Sequence, residues 1–305
     1  MPPTLLGLIK MANRSRISIS LPYITAKLIK HQPHVYADED LSQLFLKGKK
    51  KWSLPAAMNS RKFVEALEYE GIINSCHLDF GTEWHEAYYL TSCPDYYVVS
   101  QMIRNSYVSH ATALAFWKMT DVVQDQIYVN REQSQALSKS GKGILVQSGI
   151  DGAFKGAQRQ TASISNFDGK QVVLVKGKST NQLGVIEADL KGKEQIRITD
   201  PERTLIDCVV RPAYATGPEE MAAIFKKAKS LISVATLADY LNELDYTYPY
   251  HQSIGFYLEK AGNYSDSEID LFRTMPIEFD FYLDYGMSSP AYSKKWKLYA
   301  PAPLQ

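Results

Sequence analysis

The segment 200–207 carries three carboxylates, Asp200, Glu202 and Asp207, and such a cluster is a common starting point for metal-dependent hydrolysis. Asp200 and Asp207 are seven residues apart, so they share one face if the segment is helical. Two carboxylates without a lysine on a neighbouring strand make an incomplete nuclease pattern, and Asp200 also stands where its side chain would cap a helix. A metal-dependent nuclease is therefore kept as the less favoured alternative.

A second candidate for chemistry is the group of thiols and imidazoles at Cys76, His77, His85 and Cys93. Their spacing, C-H-x7-H-x7-C, does not match the zinc patterns in which ligands pair two to four residues apart. The chain has three cysteines, far apart and odd in number, which indicates free thiols in a reducing cytoplasm. The sequence thus predicts no metal site.

Two glycine-rich segments are only superficially similar to nucleotide-binding loops. Residues 140–143 lack the upstream glycine and the following Ser or Thr of a phosphate-binding loop, and the glycines of 149–156 do not form G-x-G-x-x-G. Ser109 and His110 are sequence neighbours, which is not how a serine–histidine catalytic pair is arranged. We therefore predict no catalytic residue and no cofactor, and we interpret the chain as a protein that is not an enzyme.

The elements that would position the carboxylates are a strand and a helix. Residues 195–199 alternate and are β-branched, as in a half-buried strand. Asp200 suits a helix N-cap, and Pro201 suits the first helical position, where its missing N–H costs nothing. The apolar face of this helix is predicted to consist of Leu205, Ile206, Val209 and Val210.

The sequence around this helix is typical of an α+β domain. Further strands are predicted at 126–130, 143–146, 171–175 and 184–186, and helices at 110–118, 218–229, 233–244 and 251–262. Strands between helical blocks predict a small mixed sheet, mostly antiparallel, beside a helical bundle. The tail at 279–304 is rich in Tyr, Trp and Pro and is predicted to lie extended across the surface.

The first hundred residues show another pattern. Helices are predicted at 21–31, at 37–45 and from Asn59 or Ser60 to Tyr69, with Ser60 as the cap, and strands at 72–78 and 87–90. Three helices followed by a hairpin is the order of a winged helix, whose third helix enters the DNA major groove. The predicted domains are 1–95, a winged helix with a lead-in, and 96–305, the α+β domain. Met11 stays open as the true start.

Positive charge is concentrated around the start of the third predicted helix. A lysine cluster at 47–51 precedes it, and Arg61 and Lys62 lie on its first turn. Such a cluster would neutralise DNA phosphates and make binding salt-sensitive, although most charge runs are solvated surface. The predicted DNA-binding residues are Lys47, Lys49, Lys50, Lys51, Asn59, Ser60, Arg61 and Lys62.

Length and composition restrict the class of protein. A chain of 305 residues is long enough for two domains with their own cores. Its net charge of +1 means that global charge predicts no partner, so only local clusters can. No apolar run approaches the roughly 18 residues that a membrane span needs, so no membrane partner is predicted.

Three sequence blocks resemble the AbiE-type antitoxin family of bacterial type IV toxin–antitoxin systems, which act in abortive infection. The blocks are YVSHATALAFW (107–117), ITDPERTLIDCVVRP (198–212) and HQSIGFYLEKAG (251–262), in the family's order. The resemblance implies phage defence by a repressor that binds its own promoter DNA through an N-terminal winged helix. It also implies a C-terminal half that counters a nucleotidyltransferase toxin without a required stable complex. The insertion at 47–58 is longer than a simple helix-turn-helix needs.

The resemblance further implies a set of antitoxin-domain residues. These are Asp200, Glu202, Arg203, Thr204 and Asp207 in the second block and Glu259 in the third. Arg203 is expected to pair with Glu259 across two helices, because arginine and carboxylate pair readily; alternatively, it points outward and belongs to the antitoxin surface. A stand-alone winged-helix transcription regulator without a toxin remains an alternative for the whole chain.

Overall fold

The computed structural model describes residues 16–134, 144–190 and 194–304. The chain divides into two units, the first ending at Arg104 and the second beginning at Asn105. The sequence placed a boundary after residue 95. The structure instead has a helix at Asp95–Met102 that packs on strands of the first unit, so the division lies after that helix.

The described part of unit 1 contains four helices and three strands. They are α1 (Arg16–Ile29), β1 (Val35–Tyr36), α2 (Asp38–Gly48), α3 (Ser60–Tyr69), β2 (Ile73–Asp79), β3 (Trp84–Leu90) and α4 (Asp95–Met102). The first helix begins earlier than the predicted 21–31, because Ile17, Ile24 and Leu28 together form one buried stripe. Three acidic residues in the first turn of α2 face the positive end of the helix dipole.

The strands of unit 1 form one antiparallel sheet in the order β1-β3-β2. β2 and β3 pair continuously from Ile73 opposite Leu90 to Asp79 opposite Trp84, which gives a regular hairpin. The core of the unit combines one side of each helix with the inner face of the sheet. Its fully buried side chains include Ile24, Leu41, Phe63, Leu67, Ile73 and Leu78.

Unit 2 contains a six-stranded mixed sheet in the order β6-β7-β5-β4-β9-β8. The strands are β4 (Tyr107–Val108), β5 (Gln126–Asn130), β6 (Ile164–Phe167), β7 (Lys170–Val175), β8 (Val185–Asp189) and β9 (Gln195–Thr199). The pairs β5–β7 and β4–β9 are parallel, and the other three neighbouring pairs are antiparallel. The strands predicted at 126–130, 171–175 and 195–199 are confirmed.

Helices pack beside this sheet. They are α5 (His110–Phe116), α6 (Gln147–Phe154), α7 (Pro201–Val210), α8 (Pro218–Ala228), α9 (Val234–Leu244), α10 (Tyr250–Ala261) and α11 (Asp266–Arg273). The central one is α7, which packs against α5, α9 and α10. Leu205, Ile206 and Val209 of its predicted apolar face are buried, whereas Val210 is half-buried.

Two predictions for unit 2 are wrong. Residues 144–146 form no strand and lead directly into α6, while the remaining predicted strand residue, 143, lies outside the described residues. The aromatic tail does not lie extended across the surface. It forms a small sheet of β10 (Phe281–Tyr282), β11 (Pro290–Ser293) and β12 (Leu298–Pro301), and Phe281 and Trp296 are buried in the helical core. Burial of these large apolar side chains is worth more than leaving them in water.

Both units are therefore α+β, and in each of them helices pack beside a sheet. Among the residues that the structure describes, there is no helix with the length and apolar character needed to cross a membrane.

Candidate functional site

The predicted DNA-binding cations lie around the start of α3. Lys47 is in the last turn of α2, Lys50 and Lys51 follow in the connecting segment, and Arg61 and Lys62 are on the first turn of α3. All five side chains are exposed. We define these five residues as the basic block. Because its ammonium and guanidinium groups reach water, the block is available to an anionic partner.

The two polar residues at the start of α3 have different roles. Asn59 has an extended backbone and accepts a hydrogen bond from the N–H of Lys62 at 2.9 Å, so Asn59 is the N-cap. The predicted cap at Ser60 is wrong by one residue, because Ser60 already has helical geometry. A cap satisfies one of the free N–H groups at a helix start, and it therefore fixes how α3 presents its first turn.

Lys49 differs from the other lysines of its cluster. Its Nζ donates hydrogen bonds to the carbonyls of Ala56 at 2.9 Å and Met58 at 2.7 Å, and it lies 5.3 Å from the ring centroid of Phe45. The lysine thus ties the segment before α3 to the end of α2. We infer a structural role for Lys49, although the sequence grouped it with the DNA-binding residues.

The insertion before α3 is a packed segment. Trp52 is buried and stacks on Phe63 with 6.0 Å between ring centroids, and its carbonyl accepts a hydrogen bond from Ser20. Gly48 makes room for this ring, because a Cβ there would lie 2.0 Å from the Trp52 ring. The insertion therefore contributes to the core that supports α3.

Five of the six motif residues that the resemblance implies lie in unit 2, at the N-cap of α7 or on α7 itself. Asp200 is the N-cap: its Oδ1 accepts from the N–H of Arg203 at 2.8 Å, and Pro201 is the first helical residue. Its other oxygen accepts from the Tyr240 hydroxyl at 3.0 Å. Burial raises the pKa of Asp200 despite these hydrogen bonds. No pattern in the sequence pointed to Tyr240, which lies forty residues further along the chain.

Two further motif residues also make internal contacts. Glu202 accepts a hydrogen bond from the N–H of Ser233 at 2.7 Å, which joins the start of α7 to the cap of α9. Thr204 is completely buried, and its Oγ1 lies 2.7 Å from the carbonyl of Asp200 and 2.8 Å from Oγ1 of Thr199. These contacts bind the end of β9 to the first turn of α7.

Arg203 is at the centre of a buried polar network. Its Nε donates to Oδ1 of Asp207 at 2.8 Å, and Nη1 donates to the Leu183 carbonyl at 2.7 Å and to Thr180 Oγ1 at 3.1 Å. The backbone N–H of Thr180 donates in turn to Glu132 at 2.8 Å. Burial alone would lower the pKa of Arg203, but Asp207 raises it, so the guanidinium stays charged. The network fastens the segment before β8 to α7.

Glu259 does not pair with Arg203, so that prediction is wrong. Glu259 accepts from Nζ of Lys295 at 2.6 Å and from Nε1 of Trp296 at 2.6 Å. Partial burial raises the pKa of Glu259, but these two hydrogen bonds outweigh it and lower the pKa overall. Gly255, one turn earlier on α10, gives space to the same ring, since a Cβ there would lie 2.1 Å from Trp296. The third sequence block is thus a docking site for Trp296.

His110 opens α5 in a strained conformation. It is buried and has a φ of +52°, which is uncommon for residues other than glycine. Ser109 makes no side-chain cap; its Oγ instead lies 2.8 Å from His110 Nδ1. Burial lowers the pKa of His110 to about 4. Both side chains lack the access to solvent that a catalytic pair needs.

The adjacent thiol and imidazole of Cys76 and His77 do not converge. Cys76 pairs with Ala87 and His77 with Glu86 in the β2–β3 ladder, so the side chains of Cys76 and His77 point to opposite faces. His77 Nδ1 lies 3.0 Å from Glu86 Oε1. Burial raises the pKa of Cys76 to about 12, so its thiol is protonated at neutral pH.

Comparison with known proteins supports the fold only. No protein-family model matches the sequence, and no curated protein matches it. The crystal structure of the RV2827C protein from Mycobacterium tuberculosis is similar, with a TM-score of 0.57 at 12% sequence identity. The match covers 94% of this chain and 93% of that chain. The same overall architecture is therefore found in a distant protein, and function must be argued from the residues.

Proposed function

We propose that the chain is a bacterial antitoxin of the AbiE type that represses its own operon by binding promoter DNA. The observation that carries the DNA-binding half is the basic block at the capped start of α3. In unit 1 the elements follow the order α1-β1-α2-α3-β2-β3, and on the strength of this order we assign α3 as the recognition helix and the β2–β3 hairpin as the wing.

The chemistry of the basic block supports DNA as the partner. Lys50, Lys51, Arg61 and Lys62 are exposed cations next to a helix start, where the dipole also favours phosphate. The packed insertion and the Asn59 cap hold this surface in one arrangement. Contacts to phosphates would position α3, and its outward side chains would contact base edges in the major groove.

The antitoxin half is supported by the resemblance of the three sequence blocks. In unit 2 the polar side chains of the second block are committed to internal contacts, and Glu259 of the third block holds Trp296. We therefore assign the motif residues to the support of the domain. We place the residues that act against the nucleotidyltransferase toxin on the surface of unit 2, whose shape these internal contacts maintain.

The geometry favours a binding protein over the metal-dependent nuclease. Asp200 is engaged by Arg203 and Tyr240, and Asp207 is engaged by Arg203. Carboxylates that hold a divalent cation need free oxygens facing solvent or substrate. Asp200→Asn and Asp207→Asn should consequently change stability without removing any metal-dependent cleavage of DNA or RNA.

A gel shift of the full chain on DNA from upstream of its own gene tests the DNA-binding half. Replacing Lys50, Lys51, Arg61 and Lys62 by alanine should abolish the shift at moderate salt. In the residual binding at low salt, the salt slope of log affinity should be smaller by about 3 to 4. The control replaces four exposed cations of unit 2 and makes the same change in net charge: Lys155, Arg159, Lys226 and Lys294 to alanine. Equal affinity of both quadruple variants would exclude the basic block as the DNA contact.

Co-expression with the product of the neighbouring gene separates the antitoxin from a stand-alone regulator. If the neighbour encodes a nucleotidyltransferase toxin, its expression alone should stop growth, and this chain should restore growth. The basic-block variant should still restore growth when both genes are driven by foreign promoters, because neutralisation is placed in unit 2. A harmless neighbour would favour the stand-alone regulator.

A further inference from the structure

Charge is strongly segregated within unit 1. Residues 16–62 hold nine Lys and Arg, whereas the stretch from Phe63 to Ile103 contains none. That stretch carries seven carboxylates, three of them on the β2–β3 hairpin and its turn, at Asp79, Glu83 and Glu86. A hairpin without a cation is poorly suited to DNA phosphates, so its surface calls for a different partner.

One face of the hairpin combines carboxylates with exposed aromatic rings. Ser75, His77 and Asp79 of β2 alternate onto the same face as their partners Tyr88, Glu86 and Trp84 of β3. The Trp84 side chain is 64% exposed and stacks on His77 with 6.1 Å between ring centroids. We define Asp38, His77, Trp84, Glu86 and Tyr88 as the hairpin face. They line a groove of about 690 Å³.

The hairpin face has the chemistry that recognises a cationic side chain. An exposed tryptophan is the best aromatic partner for a guanidinium or ammonium group, and Glu86 and Asp38 supply the carboxylates. Partial burial and then the charges of Asp38, Glu68 and Glu86 raise the pKa of Tyr88, while Arg61 lowers it. The basic block and the hairpin face also lie on elements that touch, because α3, which carries Arg61, packs against α2 and β2.

We propose that the hairpin face binds the basic block of a second copy of this chain. The chain supplies both complementary surfaces, and its net charge of +1 does not oppose association of two copies. In a two-fold dimer each copy presents its basic block to the hairpin face of the other, so the contact forms twice. The contact does not depend on whether the basic block also binds DNA.

The contact is expected to be weak and salt-sensitive. Exposed ion pairs contribute little each, and charges in water are screened within a Debye length. Sedimentation of the full chain without DNA should show reversible dimers at low salt that dissociate as salt increases. Trp84→Ala should weaken the dimer by about tenfold, because a two-fold contact loses the cation–π interaction twice.

Charge reversal gives the decisive test. Glu86→Lys damages the hairpin face, and Lys50→Glu combined with Lys51→Glu damages the basic block, so each variant alone should be monomeric. An equal mixture should form a heterodimer, because the intact block of the first variant meets the intact face of the second. In the second contact of that heterodimer the reversed charges of the two variants meet and also attract, so the mixture should associate where neither variant does alone. The control is Glu187→Lys, an exposed reversal in unit 2 that should dimerise normally.

Three results would overturn the proposal. The first is a wild-type chain that stays monomeric at low salt and high concentration. The second is a variant that dimerises as well as the wild type, since the contact would then lie elsewhere. The third is a mixture that stays monomeric although the wild type dimerises. Circular dichroism of each variant verifies the fold, and it should be unchanged because the substituted side chains are exposed.

Discussion

Two arginines of this chain have the same sequence geometry and opposite environments. Arg61 of α3 pairs with Glu65 at 3.1 Å, and Arg203 of α7 pairs with Asp207 at 2.8 Å, both four residues apart on a helix. The side chains of the first pair are 88% and 57% exposed, and those of the second are 3% and 6% exposed. The pair in unit 1 can exchange its partner for a ligand, whereas the pair in unit 2 is part of the interior.

The difference shows that the same type of ion pair can be open to exchange on a surface and be part of the architecture in the interior. An exposed pair contributes less than about 1 kcal/mol, so Arg61 can leave Glu65 for a phosphate at little cost. A buried pair has given up its hydration, and removal of one partner leaves an uncompensated charge in the interior. A motif residue with a charge is therefore informative about function only when its exposure is known.

The largest expected effect comes from the buried pair. Arg203→Met should lower the free energy of unfolding by about 3–5 kcal/mol, because it leaves Asp207 buried without a cation. Arg61→Met should lower it by less than about 1 kcal/mol. Urea unfolding of both variants measures the difference. The double variant Arg203→Met with Asp207→Leu should recover part of the loss, and equal costs for the two arginines would contradict the comparison.

The next effect is a pH dependence of stability in unit 2. The pKa of His110 is about 4 in the folded chain against an ordinary value of 6.5, so the unfolded chain binds more protons between those values. Stability is complete above pH 6.5 and should fall by about 3 kcal/mol as the pH drops to 4.

Comparison with His110→Asn isolates this histidine, because asparagine tolerates the positive φ and does not titrate. The difference in unfolding free energy between wild type and variant should stay constant above pH 6.5 and change below it. If the difference in unfolding free energy stays constant down to pH 4, the prediction is wrong, because His110 then takes up its proton as readily in the folded chain as in the unfolded chain.

A smaller effect distinguishes two glycines that lie in helices. Gly255→Ala should cost about 1–3 kcal/mol, because its Cβ would lie 2.1 Å from the Trp296 ring and would displace the tail. Gly152→Ala in α6 has nothing within 4 Å of the new Cβ and should stabilise by about 0.4–1 kcal/mol. Thermal unfolding of the two variants should therefore shift in opposite directions; a shift in the same direction would place Trp296 elsewhere.

The smallest effect lies within the lysine cluster itself. Lys49→Met removes two hydrogen bonds to backbone carbonyls and should cost about 1–2 kcal/mol of stability, whereas exposed Lys50→Met should cost less than about 0.5 kcal/mol. Gel shifts at moderate salt should show the reverse order, because Lys50→Met should lower the affinity for DNA more than Lys49→Met does. Equal effects of the two substitutions on both measurements would remove the distinction.

Local signals in the sequence predicted much of the fold. Asp200 and Pro201 located the start of α7, and β-branched alternation located β5, β7 and β9, because caps and strand patterns depend on neighbours in the chain. The partner predicted for Arg203, Glu259, was wrong. The actual partner, Asp207, is only four residues away in the chain. A sequence motif specifies only residue types. Whether Arg203 pairs with Asp207 or with Glu259 is decided by how α7 and α10 pack in the tertiary structure.

The candidate sites were predictable to different degrees. The basic block was visible as charge in the sequence, but the internal role of Lys49 depends on the path of the segment at 52–58. The tail was misplaced because its aromatic composition suits a surface or a core equally. Gly255 and Glu259, which lie in another part of the chain, show that Trp296 has a prepared site.

The docking of Trp296 also has a consequence for synthesis on the ribosome. The described elements of unit 1 are complete by Met102, so this unit can close while the rest of the chain is being made. In unit 2 the docking site on α10 stays empty until Trp296 has been translated, 46 residues after Tyr250 at the start of α10. The nascent chain therefore completes unit 1, with its basic block, before unit 2 can close.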